Sequence, residues 1–382
     1  MKRPALLAAA ATIAAFSTHA FGTSMAAGAE VHPGSRSTPR PHAPLDAEHP
    51  ERTEPEIDRP LAWLVAAQNA QGGWGDGMKS DSPDVATTAL SGIALLRMGH
   101  SGSRGAHQAS TRRAVEFVVA AVEKTPASEV SINAAGTLPQ RKLGRNIDTF
   151  VAAQFLAEVL PTLPRGKLQA RAESALASCA RRIEMAQTAD GSYSKDGWAP
   201  LLASAFANNG LYAARRAGVT VSPETLKKGQ DNLVGKYDSK TKEFSTADAA
   251  GVPLYSVAAS GMAAAQMEAA APKGAAGDDQ RRVAREASKA ANAQLSNDRI
   301  LRGFGSYGGE EHVSYMLTAE AKAAAGGDEW AVFKRGMRAR LASIQREDGT
   351  WRGDHCITST TFCTAASLIT LAVEAKAGGK AS

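Results

Sequence analysis

A histidine, an aspartate and a cysteine in the last quarter of the chain offer the nitrogen, oxygen and sulfur donors that zinc accepts. His312 lies in YGGEEHVSY, and Asp354 and Cys356 flank His355 in a short DHC string. His312, Asp354 and Cys356 are therefore a candidate metal set, with zinc the ion they suit. Cys356 has a competing use, because an oxidising compartment favours disulfides. Were Cys356 and Cys363 both helical, seven residues would hold their α-carbons about 10 Å apart, beyond the reach of a bridge. The pair can join only if Cys356 sits in a loop ahead of the helix; Cys179, the third cysteine, is expected to be buried and free.

A second set of residues suits acid–base or ligand-binding work. Sugar hydrolysis needs two carboxyl groups facing each other across a cleft, and Asp84, Asp148, Asp196 and Glu311 can supply them, with Glu310 beside the last. Trp198, Tyr255 and Tyr315 add aromatic faces and hydroxyls. Asp84 also follows Ser82 and Pro83, the signature of an ordinary helix start. The chain has no G-x-S-x-G elbow, no phosphate-binding loop and no metalloprotease histidine pair.

These residues must be positioned by a repeated device. QNAQGGW at 68–74, QTADGSY at 187–193 and QREDGTW at 345–351 share the pattern Q-x-x-x-G-x-[WY]. Gln68, Gly72 and Trp74, then Gln187, Gly191 and Tyr193, then Gln345, Gly349 and Trp351 recur at one internal spacing. Each copy follows a helical pattern and precedes a second, small-residue-rich one. Weaker pairs around 112–160, 222–266 and the segment beginning REASKAANAQLSN bring the total to about six hairpins. The second helices, such as VATTALSGIALL and TTFCTAASLITLAV, are apolar or small nearly all round, as helices buried on every side must be. The first helices carry more charge. An inner barrel inside a ring of amphipathic helices follows, and the starts of its inner helices would line a shared funnel holding Asp84, Asp148, Asp196, Trp198, Tyr255, Glu311 and Tyr315.

The repeats resemble those of the terpenoid cyclase and protein prenyltransferase β-subunit superfamily. Arg59, Trp63, Leu64, Gln68, Gly72 and Trp74 match its glutamine–tryptophan motif, and the resemblance spans about residues 56 to 376. It implies an all-α fold, an α6/α6 toroid of six hairpins, and a motif that staples the fold rather than forming a site. The Asp-x-Asp-Asp acid with which the superfamily's cyclases protonate alkenes is missing. The zinc-dependent prenyltransferases use an Asp-x-Cys pair and a later histidine. Here Asp354 and Cys356 stand one repeat later than in that family, and no histidine follows His355.

The amino terminus reads as a signal peptide over 1–29: Lys2 and Arg3, an apolar run, then Ala27-x-Ala29. Residues 30–55 read as a Pro-rich disordered linker that holds His32, His42 and His49, and 377–382 as a flexible tail. The expected location is periplasmic or secreted. The net charge of +6 is scattered rather than clustered with aromatics, so a nucleic-acid partner is not expected, nor is a membrane span. The reading that results is an exported toroid without the superfamily's catalytic strings, binding a small-molecule, lipid-like or polysaccharide ligand in its funnel. The alternative is an enzyme acting on an isoprenoid or a polysaccharide, with zinc as a candidate cofactor.

Overall fold

Small residues on every side of a helix allow close approach from all directions, and six such helices are found packed into a closed ring. The computed structural model describes residues 57–76, 82–193 and 195–373. The leader, the linker with its three histidines and the carboxy-terminal tail lie outside the described residues. In chain order the helices are α1 (Asp58–Ala66), α2 (Val85–Arg97), α3 (Gln108–Lys124), α4 (Leu138–Leu143), α5 (Ile147–Val159), α6 (Lys167–Ala186), α7 (Pro200–Arg216), α8 (Pro223–Val234), α9 (Pro253–Ala270), α10 (Ala275–Gln294), α11 (Asp298–Leu301), α12 (Gly309–Ala325), α13 (Gly327–Ile344) and α14 (Thr360–Ala372). Two two-residue ribbons, β1 (Trp74–Gly75) with β2 (Pro83–Asp84) and β3 (Tyr237–Asp238) with β4 (Glu243–Phe244), pair antiparallel in loops. The fold is all-α.

The inner ring runs α2, α5, α7, α9, α12, α14, and α14 packs back on α2 to close it. Glycine sets the spacing at two of its contacts. A β-carbon on Gly92 of α2 would lie 2.4 Å from the Phe155 ring of α5, and one on Gly210 of α7 would lie 2.8 Å from the Phe150 carbonyl. The outer helices α1, α3, α6, α8, α10 and α13 lie against this ring, each with one apolar stripe inward. α6, for example, buries Ala172, Ala175, Leu176, Cys179, Ala180 and Ile183 along one face.

The recurring motif joins neighbouring hairpins. Gln68 Nε2 donates to the Gly72 carbonyl of its own loop (2.8 Å) and to the Ser110 carbonyl at the start of α3 (2.9 Å). Gln187 Nε2 donates to Tyr193 Oη (2.9 Å) and to the Thr225 carbonyl at the start of α8 (2.8 Å). In the third copy Gln345 Nε2 holds the Gly349 carbonyl at 2.8 Å, and the loop meets α1: Arg59 donates to the Glu347 carbonyl, and Gly349 abuts Arg59 and Pro60. The two tryptophans are fully buried, their Nε1 groups donating to Leu64 and Leu341 carbonyls at 2.7 and 2.9 Å. All three glycines have φ between +84° and +88°, where a side chain is strained. The glutamine thus reaches across to the next outer helix, and the third copy seals the ring between its first and last hairpins.

Candidate functional site

The starts of the inner helices are occupied by structural bonds. Asp84 Oδ2 caps α2 through Thr87 N (2.6 Å), and its Oδ1 accepts from Asn133 Nδ2 at 2.9 Å. Asp148 accepts from Ile132 N at 2.7 Å and Ser131 Oγ at 3.0 Å. Together the two carboxyls pin the 130–133 segment over the ring, with Thr149 Oγ1 donating to the Val130 carbonyl alongside. Burial raises both pKa values, Asp84 to about 6 and Asp148 to about 7. Asp196 accepts from Arg145 N at 3.0 Å, and Tyr315 donates to the Leu301 carbonyl at 2.7 Å.

Glu311 accepts from Tyr255 Oη (2.5 Å), Gly308 N (2.8 Å) and Phe304 N (3.0 Å) and lies 3.4 Å from His355 Nε2. Its carboxyl is a clamp for the 303–308 loop. Glu310, also fully buried, accepts from Ile357 N through Oε2 but leaves Oε1 without a partner. Burial, then the neighbouring Glu311, raises it to about 7. Trp198 stays on the surface, edge to face with exposed Phe304 at 6.3 Å and with Lys142 Nζ 6.0 Å from its ring centroid.

The candidate metal ligands do not assemble. Among the described residues no three His, Cys, Asp or Glu side chains converge to hold an ion. His312 is turned into the protein, its Nδ1 2.9 Å from Ser367 Oγ, and burial lowers its pKa to about 3, which keeps it neutral. Asp354 is held by its backbone, N donating to the Tyr307 carbonyl at 2.6 Å. Cys356 does lie in the loop ahead of α14, at φ +51°, as a bridge would require. Yet it and Cys363 are free thiols, and Cys363 Sγ turns to the Ile357 carbonyl at 3.6 Å. Burial raises the Cys356 pKa to about 11 and that of buried, free Cys179 to about 12, so both stay protonated.

Space for a ligand is found at the other end of the ring. A cavity of about 1010 Å³ lies among the carboxy-terminal halves of the inner helices and the loops that follow α2 and α5, and none of the seven predicted funnel residues lines it. Five of the seven, Asp84, Asp148, Tyr255, Glu311 and Tyr315, lie buried in the core at the helix starts, and Asp196 and Trp198 are exposed. At that end, buried carboxylates accept from loop backbone groups and draw the connecting segments over the ring, leaving the cavity at the far end.

The cavity wall is part apolar and part polar. Ala157, Ala213, Met262, Ala265 and Ala323 supply small apolar surface. Against it, Arg97 Nη2 sits between Glu158 Oε1 at 2.8 Å and Glu320 Oε1 at 3.2 Å. Burial acts to lower the Arg97 pKa, but the two carboxylates outweigh it and the net shift is upward. Burial raises Glu320 to about 7 against the pull of Arg97. Gln154 Nε2 donates to Glu158 Oε1 at 3.1 Å. A chain of amides crosses α7 and α9: Asn208 Nδ2 to Gln266 Oε1 and Gln266 Nε2 to Asn209 Oδ1, both 2.6 Å. These residues had a sequence signal that composition obscured: AAQFLAEV, FANNGLYAA, AAAQMEAA and LTAEAK each place polar groups in helices whose other positions are small and apolar.

Fold and site together define a closed ring of helical hairpins around a one-ended cavity. No family model and no curated protein matches the chain. Among solved structures, the apo form of the type II terpene cyclase MstE from Scytonema is similar, with a TM-score of 0.49 and 15% identity over 83% of this chain and 96% of that one. Among the described residues no helix is long and apolar enough to cross a membrane.

Proposed function

We propose that this protein binds an amphipathic, lipid-like organic molecule in the cavity at the carboxy-terminal end of its inner helices, and that it does so after export. The observation that carries the reading is the cavity of about 1010 Å³ with a wall of alanines interrupted by a few convergent polar side chains. Sites for small organic molecules have this form, with volumes of roughly 300–1,000 Å³. The wall's charged side chains balance in number, Arg97, Arg104 and Arg216 against Glu158, Glu173 and Glu320. The signal-peptide pattern of residues 1–29 supports export.

The test is native mass spectrometry of protein purified without detergent, with and without added 1-decanol, on the wild type and on Ala213→Phe/Ala265→Phe. An organic adduct on the wild type that the filled variant loses is the expected result. A bare mass in both, or an adduct equally held by both, would overturn the reading.

A second reading, an enzyme acting on an isoprenoid or a polysaccharide, is favoured by Glu310 alone. Its carboxyl, with a pKa near 7, can carry a proton at neutral pH and leaves one oxygen unpartnered. Turnover by extracts of the native host that Glu310→Gln abolishes, with the fold intact by circular dichroism, would establish it; equal turnover would discard it.

A further inference from the structure

Three loops at the helix-start end of the ring, the end away from the cavity, set a row of rings on the surface. Trp198 precedes α7, Phe304 precedes α12 and His355 precedes α14; the Trp198 and Phe304 centroids lie 6.3 Å apart, those of Phe304 and His355 5.1 Å apart. Trp198 is 43% exposed and Phe304 53% exposed. The other large apolar side chains this open among the described residues are Met185, Val283 and Val332, one on each of the outer helices α6, α10 and α13, so Trp198 and Phe304 are the pair that meets. Both open rings stand on fixed backbone. Trp198 N and Ala199 N donate to the Lys142 carbonyl at 2.8 and 2.9 Å, and a β-carbon on Gly197 would lie 2.6 Å from Gly144 N. Phe304 N donates to buried Glu311 at 3.0 Å, and His355 Nε2 lies 3.2 Å from the Ser306 carbonyl oxygen. The aromatic surface is therefore preformed, and a ligand would not have to order the loops that carry it.

We propose that this surface is a carbohydrate-binding site, separate from the cavity, in which a sugar ring lays its C–H face on Trp198 with its edge toward Phe304 while its hydroxyls meet the charged rim. The planes of the two rings stand at 80°, a corner that seats one sugar unit rather than a flat shelf for several. The rim carries both signs: Lys142 Nζ is 6.0 Å from the Trp198 ring centroid, and exposed Asp196 and Asp354 are within two residues of Trp198 and His355. Hydroxyls donate and accept, so a ligand with an apolar face ringed by hydroxyls suits an aromatic pair bordered by a cation and carboxylates. Other occupants suit it less. A specific protein partner covers about 800 Å² on each side around an apolar core, and two rings bordered by charge fall far short of that. A cationic ligand would meet Lys142 already at the Trp198 ring, the place a cation–π contact would use. An anionic bilayer would meet Asp196 and Asp354.

Isothermal titration calorimetry with three soluble pentasaccharides tests the site: the β-1,4-linked glucose, α-1,4-linked glucose and β-1,4-linked N-acetylglucosamine pentamers. At least one is expected to bind the wild type. Trp198→Ala is expected to weaken that binding about tenfold, the worth of one stacked ring face, and Phe304→Ala about threefold. Both side chains are exposed, so neither substitution opens a hole in the core, and Met185→Ala, an equally open position on α6, should bind the sugar as the wild type does. Saturating 1-decanol, the probe for the cavity, should leave saccharide binding unchanged. Binding of none of the three pentamers, or undiminished binding by Trp198→Ala, would overturn the inference, and so would displacement of the sugar by decanol, which would move it to the cavity. Sedimentation of the wild type with phosphatidylglycerol vesicles, lost in Trp198→Ala, would overturn it in favour of a membrane surface. None of these outcomes depends on whether decanol binds, so the cavity reading stands or falls separately.

Discussion

Single buried polar residues hold much of this fold in place. Arg182 on α6, 2% exposed, donates to the carbonyls of Thr125 and Pro126 at 2.9 Å and to that of Glu129, tying down the loop that leaves α3. Arg182→Met keeps the stem and removes every donor, so it should cost about 3 kcal/mol, read from urea unfolding. Glu320 gives a pH-dependent counterpart. Its folded pKa, near 7, lies above the ordinary glutamate value of about 4.5, so the native state holds more protons than the unfolded state between those values. Stability therefore falls as pH rises from about 4.5 through about 7 and then levels off. Asp84, Asp148 and Glu310, raised to about 6, 7 and 7, act in the same direction. Glu320→Gln should remove about 1–3 kcal/mol of that decline, visible in denaturation midpoints at pH 5 and pH 8. An unchanged slope would show that Glu320 ionises in the folded protein as it does in the unfolded chain.

Between elements, small residues set the distance and the motif sets the order. Gly92 lets α2 settle on the Phe155 ring of α5. Gly92→Ala should cost about 1–3 kcal/mol by overpacking, and Phe155→Leu in the same chain should recover part of the loss, a coupling that a double-mutant cycle measures. The staples predict a different signature. Gln187 ties the loop after α6 to the start of α8, so Gln187→Leu leaves the Thr225 carbonyl without that donor and should cost about 1–2 kcal/mol. Hydrogen exchange should quicken first at the start of α8. The spacing in the sequence announced the staple, but not its far partner: Ser110 and Thr225 lie 42 and 38 residues away from their glutamines.

For the molecule as a whole, the closing contact is the seam between α13 and α1, where Arg59 donates to the Glu347 carbonyl 288 residues away. Loss of that contact by Arg59→Ala should raise hydrogen exchange in α1 and in the 345–351 loop while leaving α5 and α7 protected. Uniform acceleration around the ring would mean that the hairpins unfold as one unit rather than from the seam.

The sequence by itself determined the hairpins. Q-x-x-x-G-x-[WY] marked three turns, helical periodicity marked the partners on each side, and the small-residue second helices could be stable only if buried all round, which required an inner ring. Local patterning carries that much because it depends on neighbours within a few turns. Which end of the ring is free for a ligand was decided by tertiary structure. Asp84, Asp148 and Glu311 looked like funnel residues because they stand at helix starts, and only the folded chain shows their oxygens taken by the helix start itself, by the loops packed over it and by side chains such as Asn133 and Tyr255. In the same way His312, Asp354 and Cys356 have a zinc-like composition, but helix rotation and loop path point them at different neighbours. Gln154 and Asn209 were the converse, unremarked in an alanine-rich background. Only the folded chain brings them, from α5 and α7, to the wall of one cavity shared with α2, α9 and α12.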